Sequence, residues 1–281
     1  MKNNPIRIIP FLDIKNGLLI KGINLEGLRV LGKAENFSNY YYLGGADEIC
    51  YIDNVATLYG TNNLSKFINQ TAKNTFIPLS VGGGIKTIED MKKIFSAGAD
   101  KICINSSIIK DIKLLNKAAK IFGSANITVM IQSVKIDQKY FISSSNGRDL
   151  ENINPTVWAK RVENYGAGEI ILTSVNNEGL KNGFDINITR KVSRAVKIPV
   201  IAHGGAGKFK DIYDVIKKTN IDGVGIASLL HYNTLHHFPK FNPKVGNTSY
   251  LENTKKNQKK SNLIFKIKSY LKLKNINVRY E

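Results

Sequence analysis

The chain has 281 residues, 42% of them hydrophobic, and its 41 Lys and Arg against 22 Asp and Glu give a net charge of +19 at pH 7. This length is compatible with a single large domain over residues 1–281. The N-terminal residues lead directly into a strand pattern, and no run reaches the ~20 apolar residues of a membrane helix. We therefore expect a cytoplasmic protein with neither a signal peptide nor a membrane span.

The positive charge is concentrated near the C-terminus. Residues 239–281 contain ten Lys and Arg279 against Glu252 and Glu281, a net charge of +9. The segment 238–261 is rich in Asn, Lys and Pro and is predicted to be a basic insertion that forms a solvated loop. The alternative, a nucleic-acid or membrane-surface binder, is disfavoured because the segment has no basic motif with interleaved aromatic residues. We expect no nucleic-acid partner.

Eight short apolar runs predict eight strands. Because these runs are rich in Val and Ile and lack polar alternation, they are typical of a parallel sheet covered by helices. Both cysteines, Cys50 and Cys103, lie within such runs and are predicted to be core residues, so neither a disulfide nor a metal site is expected. We also expect no cofactor. In chain order, the predicted strands are 7–13, 49–53, 77–82, 102–105, 127–134, 170–175, 200–204 and 224–227, with helices that include 88–95, 212–216 and 263–273.

The sequence repeats itself across its two halves. The segment 78–86 (PLSVGGGIK) returns as 199–208 (PVIAHGGAGK), and Gly82, Asp100 and Ser106 each have an identical residue 122 positions later. A chance likeness of glycine loops would not keep this register across a helix. The repeat predicts a (β/α)8 TIM barrel built from two duplicated half-barrels. A doubly wound open sheet is the alternative, but it does not naturally give a duplication of four strands.

The active sites of (β/α)8 barrels lie at the carboxyl ends of the strands, which selects the first candidate residues. Asp13 ends the first strand and is a candidate general acid or base. Its structural alternative is a helix cap or a loop salt bridge. Lys21 follows on the long first loop and is a candidate contact for an anionic substrate.

The repeated glycine loops predict two phosphate cradles, because glycine lets backbone N–H groups approach an anion. Gly84 with Asn105 and Ser106 would form one cradle, and Gly205 with Ala227 and Ser228 would form the other. Two cradles imply either a ligand with two phosphates or one site that decayed after duplication.

Charged residues stand just before four strands, at the opposite end of the barrel. Arg7, Glu48, Lys101 and Glu169 are predicted to ring the barrel floor with alternating charge. Floor residues are usually structural, so the pattern alone favours a mutually neutralised ion-pair plug.

Taken together, these motifs resemble one family, the cyclase subunit of imidazole glycerol phosphate synthase, called HisF. The resemblance implies that the cradles hold a bis-phosphate ribulosyl intermediate, with Thr173 near the ligand and Gly179 at a phosphate. It also implies that the floor ring is a gate for ammonia, which a docked HisH-like glutaminase releases from glutamine. The motifs that carry the resemblance are 7–9 (RII), 12–15 (LDIK), 21–22 (KG), 81–85 (VGGGI), 100–105 (DKICIN), 166–174 (GAGEIILTS), 204–208 (GGAGK) and 277–279 (NVR).

The sequence departs from this family at the reactive end. The family has a second catalytic Asp at the end of strand five, where this chain offers Gln132 or Ser133, depending on the direction of counting. Neither side chain exchanges a proton near neutral pH, and losing a positioned acid or base typically costs about 10²–10⁴-fold in rate. The family's Asp-x-Asp-Gly appears as 176–179 (NNEG), its Gly-Asp-Pro as 32–34 (GKA), and a Ser before the second glycine pair as His203.

The retained and lost residues suggest which part of the function remains. The leading interpretation is a paralogue that binds a HisH-like glutaminase and conducts ammonia for sugar amidation in surface glycan biosynthesis, with little or no cyclase activity and a sugar amidotransferase as a further partner. The alternative is the cyclase of histidine biosynthesis, which converts ammonia and the bis-phosphate ribulosyl intermediate to imidazole glycerol phosphate and AICAR.

Overall fold

The structure, a computed structural model, describes residues 4–53, 64–238 and 262–280. Most of the predicted basic insertion, residues 239–261, lies outside these ranges. The strands of the described residues are β1 Arg7–Lys15, β2 Leu18–Ile23, β3 Glu26–Lys33, β4 Ile49–Asp53, β5 Leu79–Gly82, β6 Lys101–Ile104, β7 Ile127–Ile136, β8 Lys139–Ser144, β9 Asp149–Glu151, β10 Glu169–Ser174, β11 Val200–His203 and β12 Gly223–Ile226.

Eight of these strands are parallel and close into a barrel. Their order is β1, β4, β5, β6, β7, β10, β11 and β12, and β12 pairs with β1 again. The chain thus folds as a (β/α)8 barrel. Each predicted strand occurs, with ends shifted by no more than two residues.

The other four strands form two antiparallel extensions that the sequence analysis missed. β2 and β3 extend β1, whereas β8 and β9 extend β7, so each half-barrel carries its extension on its first strand. Asn16 and Gly17 turn the chain with φ of 50° and 75°, and Asp137 and Gln138 do so with 44° and 65°. The Asn-Gly pair is a strong hairpin signal. Lys21, predicted on a loop, therefore lies on strand β2.

Helices cover the outside of the barrel and bury one face each against it. The helix Ile88–Ser96, for example, has Thr87 as its N-cap, with a capping box completed by Asp90, and buries Met91 and Ile94. The helices of the described residues are α1 Ala34–Leu43, α2 Leu64–Ala72, α3 Ile88–Ser96, α4 Ser106–Lys110, α5 Lys113–Phe122, α6 Pro155–Asn164, α7 Ile186–Ala195, α8 Phe209–Lys218, α9 Ser228–Thr234 and α10 Leu263–Leu273, with 3-10 turns at Ser124–Asn126, Ser145–Gly147, Val175–Asn177 and Leu235–His237. None of the helices in these ranges is long and apolar enough to cross a membrane.

Apolar side chains form two separate cores because residues along a strand alternate between its faces. The larger core lies between the strands and the helices. The smaller one fills the inside of the barrel and is called here the inner column: Ile9, Phe11, Cys50, Ile52, Cys103, Met130, Ile171, Ile201 and Ala227. Both cysteines thus lie inside the barrel as free thiols, and burial together with the neighbouring Cys103 raises the pKa of Cys50 well above its usual value.

A buried ion pair joins the last helix to the start of the barrel. Asp47 accepts hydrogen bonds from Lys268 Nζ at 2.6 Å and from the backbone N–H of Ile8 at 2.7 Å. Both charged side chains are almost fully buried. Removing only one partner of such a pair leaves an uncompensated charge in the interior.

We therefore expect Lys268→Met to lower the free energy of unfolding by about 3 kcal/mol. The double variant Asp47→Asn with Lys268→Met should recover part of this loss, because no buried charge then stays unpaired. Urea unfolding followed by circular dichroism measures both. Lys210→Met, which breaks the solvent-exposed pair with Asp214, is the control and should change stability by no more than about 0.5 kcal/mol. Equal effects of the buried and exposed substitutions would contradict the prediction.

Candidate active site at the barrel mouth

The sheet register identifies the counterpart of Asp13 in the second half-barrel. Asp13 pairs with Ile52, and Gln132 pairs with Thr173, which is the residue 121 positions after Ile52 in the repeat. Gln132 is thus equivalent to Asp13. Ser133 is one residue further along β7, so its side chain points to the other face of the sheet. Of the two residues that the sequence left open, the register selects Gln132.

The side chain of Gln132 is held by its neighbours. Its Oε1 accepts hydrogen bonds from Asn105 Nδ2 at 3.3 Å and from the backbone N–H of Gly147 at 3.1 Å. Where Asp13 offers a carboxylate on one side of the mouth, the other side therefore presents an amide. An amide can orient a ligand, but it cannot move a proton near neutral pH.

Asp13 itself belongs to a buried charged cluster. Lys21 Nζ donates to Asp13 Oδ2 at 3.0 Å and also to Glu178 Oε1, and all three side chains are almost completely buried. The cluster joins β1, its hairpin and the loop after β10. Asp13 thus forms a salt bridge, as in the structural alternative considered from the sequence, and its role as a general acid or base stays a prediction.

The ionisation of the cluster follows from its geometry. Burial alone would lower the pKa of Lys21, but the nearby carboxylates of Asp13 and Glu178 raise the pKa above its usual value, so that Lys21 stays charged. Burial, reinforced by the negative charge of Asp13, raises the pKa of Glu178 against the opposing effect of Lys21. One ammonium thus lies between two carboxyl groups in a medium of low polarity.

His203 ends strand β11 and borders the small cavity at the mouth. Its ring stacks on Phe11, with ring centroids 3.9 Å apart and planes at 23°. His203 Nδ1 and Thr173 Oγ1 are 3.0 Å apart, within hydrogen-bonding distance. Burial lowers the pKa of His203 to about 3.

The first predicted cradle lines a cavity of about 380 Å³. Gly84, Asn105 and Ser106 all border it, and their role in binding a phosphate stays a prediction. The polar residues that also line it and that the sequence analysis did not single out include Lys86, Ser107, Lys110 and Asn146, together with one carboxylate, Asp53. Two ammonium groups and several hydroxyl and amide groups make this cavity suited to an anionic, oxygen-rich ligand.

The second predicted cradle lines a much smaller cavity of about 10 Å³. Gly179, Gly205, Ala227 and Ser228 border it together with His203. The Oγ of Ser228 is buried and has no hydrogen-bond partner among the described residues, which marks a polar group that a ligand could satisfy. Gly205 has φ of 111°, and a Cβ there would lie 2.1 Å from the carbonyl oxygen of Gly183. Thr173 contacts His203 and borders neither cavity.

The predicted floor ring is a closed circle of ion pairs. Arg7 donates to Glu48 at 2.9 Å and to Glu169, while Lys101 is 3.0 Å from Glu48 and 3.2 Å from Glu169. Each carboxylate thus contacts both cations. The attraction of these carboxylates outweighs burial, which would lower the pKa values of Arg7 and Lys101, and raises both. The inner column lies between this ring and the mouth.

Sequence reasoning missed Glu178 as a site residue. It was noted only as part of a departure from a family motif, whereas the structure brings it to Lys21. The signal was an acidic residue beside a glycine just after the sixth barrel strand, at the carboxyl edge of the sheet. Among the described residues, no group of three or more His, Cys, Asp or Glu side chains is placed to hold a metal ion.

Fold and site together define a (β/α)8 barrel protein with an anion-binding mouth. Residues 7–236 match the family model described as histidine biosynthesis protein, and the chain belongs to this family. Its relatives include the imidazole glycerol phosphate synthase subunit HisF of Legionella pneumophila, 44% identical over 207 residues (73% of this chain, 98% of the relative). The subunit HisF of Bacillus cereus (strain Q1) is 42% identical (80% of this chain, 90% of the relative). The subunit HisF of Clostridium botulinum (strain Okra / Type B1) is 43% identical (82% of this chain, 91% of the relative).

These comparisons bear on the two functional interpretations. The family inferred from the motifs is confirmed. The names of the relatives favour the alternative, the synthase subunit, over the leading interpretation, because none of them mentions sugar amidation.

Two buried histidines predict an acid-sensitive fold. His231 Nε2 donates to the carbonyl of Phe11 at 2.9 Å, while Tyr41 OH lies 2.7 Å from Nδ1, and burial lowers the pKa of His231 to about 4. His203 shares this depressed pKa. In the unfolded chain both groups would have a pKa near 6.5.

The unfolded state therefore binds more protons than the folded state between about pH 6.5 and about pH 4, so we expect the free energy of unfolding to fall as the pH drops through this range. Each histidine contributes a slope of at most about 1.4 kcal/mol per pH unit. Urea unfolding of the wild type and of His231→Gln across this range measures the effect. The variant should lose less stability on acidification, and a pH-independent difference between the two proteins would refute the assignment.

Proposed function

We propose that this protein is the barrel subunit of a glutamine amidotransferase, which takes ammonia from a HisH-like glutaminase at its floor and delivers it to a phosphorylated ligand at its mouth. The observation that supports the proposal is the order of three layers inside the barrel, from the floor to the mouth. A closed ring of ion pairs is followed by an apolar inner column and then by a charged mouth with an anion-binding cavity. Ammonia is small and neutral, so an apolar column passes it while it excludes ammonium ions.

The floor also has the surface that a docked partner would cover. Leu43, Phe76, Ile121 and Leu273 are all more than half exposed. Three of them lie in the last turns of helices and Phe76 precedes a strand, and both positions belong to the amino-terminal face of a (β/α)8 barrel. Exposed large apolar side chains around the charged ring are typical of a protein interface.

The names of the relatives support the cyclase reaction of imidazole glycerol phosphate synthase as the acceptor reaction. In this proposal the lysines and backbone of the large cavity bind one phosphate, and the small cavity with Ser228 binds the other. Asp13 is the one carboxylate that faces the mouth from β1, and Lys21 holds it in position for proton transfer. The reaction would run without an acid or base on β7.

A second candidate is favoured by Gln132. Ammonia delivery needs the floor ring, the inner column and glutaminase docking, but it needs no proton transfer at the mouth. A barrel that keeps these parts and lacks the second carboxylate suits a subunit that passes ammonia on for sugar amidation. This candidate shares the gate and the partner with the first and differs in the final ammonia acceptor.

Lys101→Met tests the ammonia gate. We expect glutamine hydrolysis in the complex to exceed nitrogen transfer by at least about twofold, because the gap admits water to the ammonia path. Glutamate and aminated product are measured in the same reaction with a HisH-type glutaminase. Lys92→Met removes an equal charge from the exposed pair with Glu89 and is the matched control, which should leave the ratio unchanged. Unchanged coupling in Lys101→Met would show that the ring is only structural.

The acceptor is tested by complementation and by restoring the missing carboxylate. Under the cyclase proposal, the gene rescues a histidine auxotroph that lacks its cyclase. Under the second candidate it does not, yet Gln132→Asp should raise AICAR release with ammonium salt by about 10²-fold. Ser133→Asp places the same carboxylate on the other face of β7 and is the control, with no gain expected. Robust rescue by the wild type would exclude the second candidate.

A further inference from the structure

His203 lies at the boundary between the inner column and the charged mouth. Its ring stacks on Phe11, which belongs to the column, and it borders the small cavity together with Glu178. The imidazole of His203 fits here because its neighbour Gly225 has no side chain. A Cβ on Gly225 would lie 3.1 Å from His203 Cδ2 and 3.4 Å from Phe11 Cδ2, so glycine there leaves room for both rings. His203 is thus in contact with the inner column through Phe11 and with the mouth through the small cavity.

The imidazole carries no positive charge at this position. Burial lowers its pKa, Lys21 and His231 lower it further, and the opposing effect of Asp13 is too small to restore it. These are the titratable groups that act on it from β1, β2 and α9. A protonated histidine would convert ammonia to ammonium and so remove its nucleophilic lone pair. A neutral imidazole can hydrogen-bond to ammonia without protonating it.

We propose that His203 is a positioning residue that receives ammonia at the top of the inner column through its Nε2. We assign the ring proton to Nδ1, which then donates to Thr173 Oγ1 and leaves the Nε2 lone pair to accept an N–H of ammonia. The lone pair of ammonia then stays free to attack the acceptor. No covalent bond is formed or broken at His203. This inference rests on the proposed passage of ammonia through the barrel and assigns its last contact.

The decisive experiment is ¹⁵N NMR of the full chain labelled at its four histidines, His203, His231, His236 and His237. The ¹⁵N shift distinguishes a bare ring nitrogen from a protonated one. The proposal requires a bare Nε2 on His203, in contrast to His231, whose Nε2 donates to the carbonyl of Phe11. Ammonium chloride at about pH 9, where much of it is ammonia, should shift the His203 Nε2 resonance saturably, and an equal concentration of potassium chloride should not. A protonated Nε2, or an equal response to both salts, would overturn the proposal.

Two variants distinguish the role of the Nε2 atom from the packing of the aromatic ring. His203→Phe keeps an aromatic ring against Phe11 and loses both nitrogens. His203→Asn keeps a polar group at the place of Nδ1, next to Thr173, and loses Nε2. Both should lower the fraction of glutamine nitrogen that reaches product by about tenfold, the factor that one hydrogen bond commonly carries. If His203→Phe transfers nitrogen as well as the wild type, the ring only packs and the inference fails.

The results distinguish a failure of the role of His203 from a failure of the proposed function. Nitrogen transfer in the wild-type complex without an ammonia-dependent shift would reject the role of His203 alone. An ammonia-dependent shift in a protein that never couples to a glutaminase would reject the proposed function and leave an ammonia-binding imidazole.

Discussion

The buried ammonium of Lys21 is the interaction on which the mouth of the barrel depends. It reaches from the first hairpin to Asp13 on β1 and to Glu178 in the loop after β10, and so ties the first strand and its hairpin to a loop 157 residues further along the chain. A positive charge buried in a nonpolar surrounding is costly unless a carboxylate compensates it, and both partners of Lys21 are themselves buried. The positions of Asp13 and of the hairpin are therefore determined together.

Much of this architecture could be predicted because it rests on local patterns. The Val- and Ile-rich runs indicated the eight strands, and the glycine loops at a constant interval indicated the duplication. The hairpins were missed although 15–18 (KNGL) contains an Asn-Gly turn signal, because the eight-strand pattern accounted for the chain without them. Glu178 was missed because its contact with Lys21, which makes it part of the site, joins residues 157 positions apart.

The same limit explains the uncertainty at β7. Counting along the chain from either side gave Gln132 or Ser133, because insertions in loops shift the count. The register removed this uncertainty, because hydrogen bonding pairs Gln132 with Thr173 on the neighbouring strand and so fixes which side chain of β7 lies on each face of the sheet. The two halves of the barrel thus share a backbone and differ in chemistry. One offers a carboxylate at the mouth and the other an amide that is already bonded to its own cradle.

The ion pair between Asp47 and Lys268 has a consequence for the order in which the chain folds. Its partners are 221 residues apart, so a growing chain holds Asp47 for most of its synthesis without the cation that compensates it. The barrel strands can pair earlier, but the carboxylate at the entrance to β4 favours an open, hydrated arrangement until α10 docks. Completion of the barrel is thereby coupled to the arrival of its last helix, and partly synthesised chains are disfavoured from closing early.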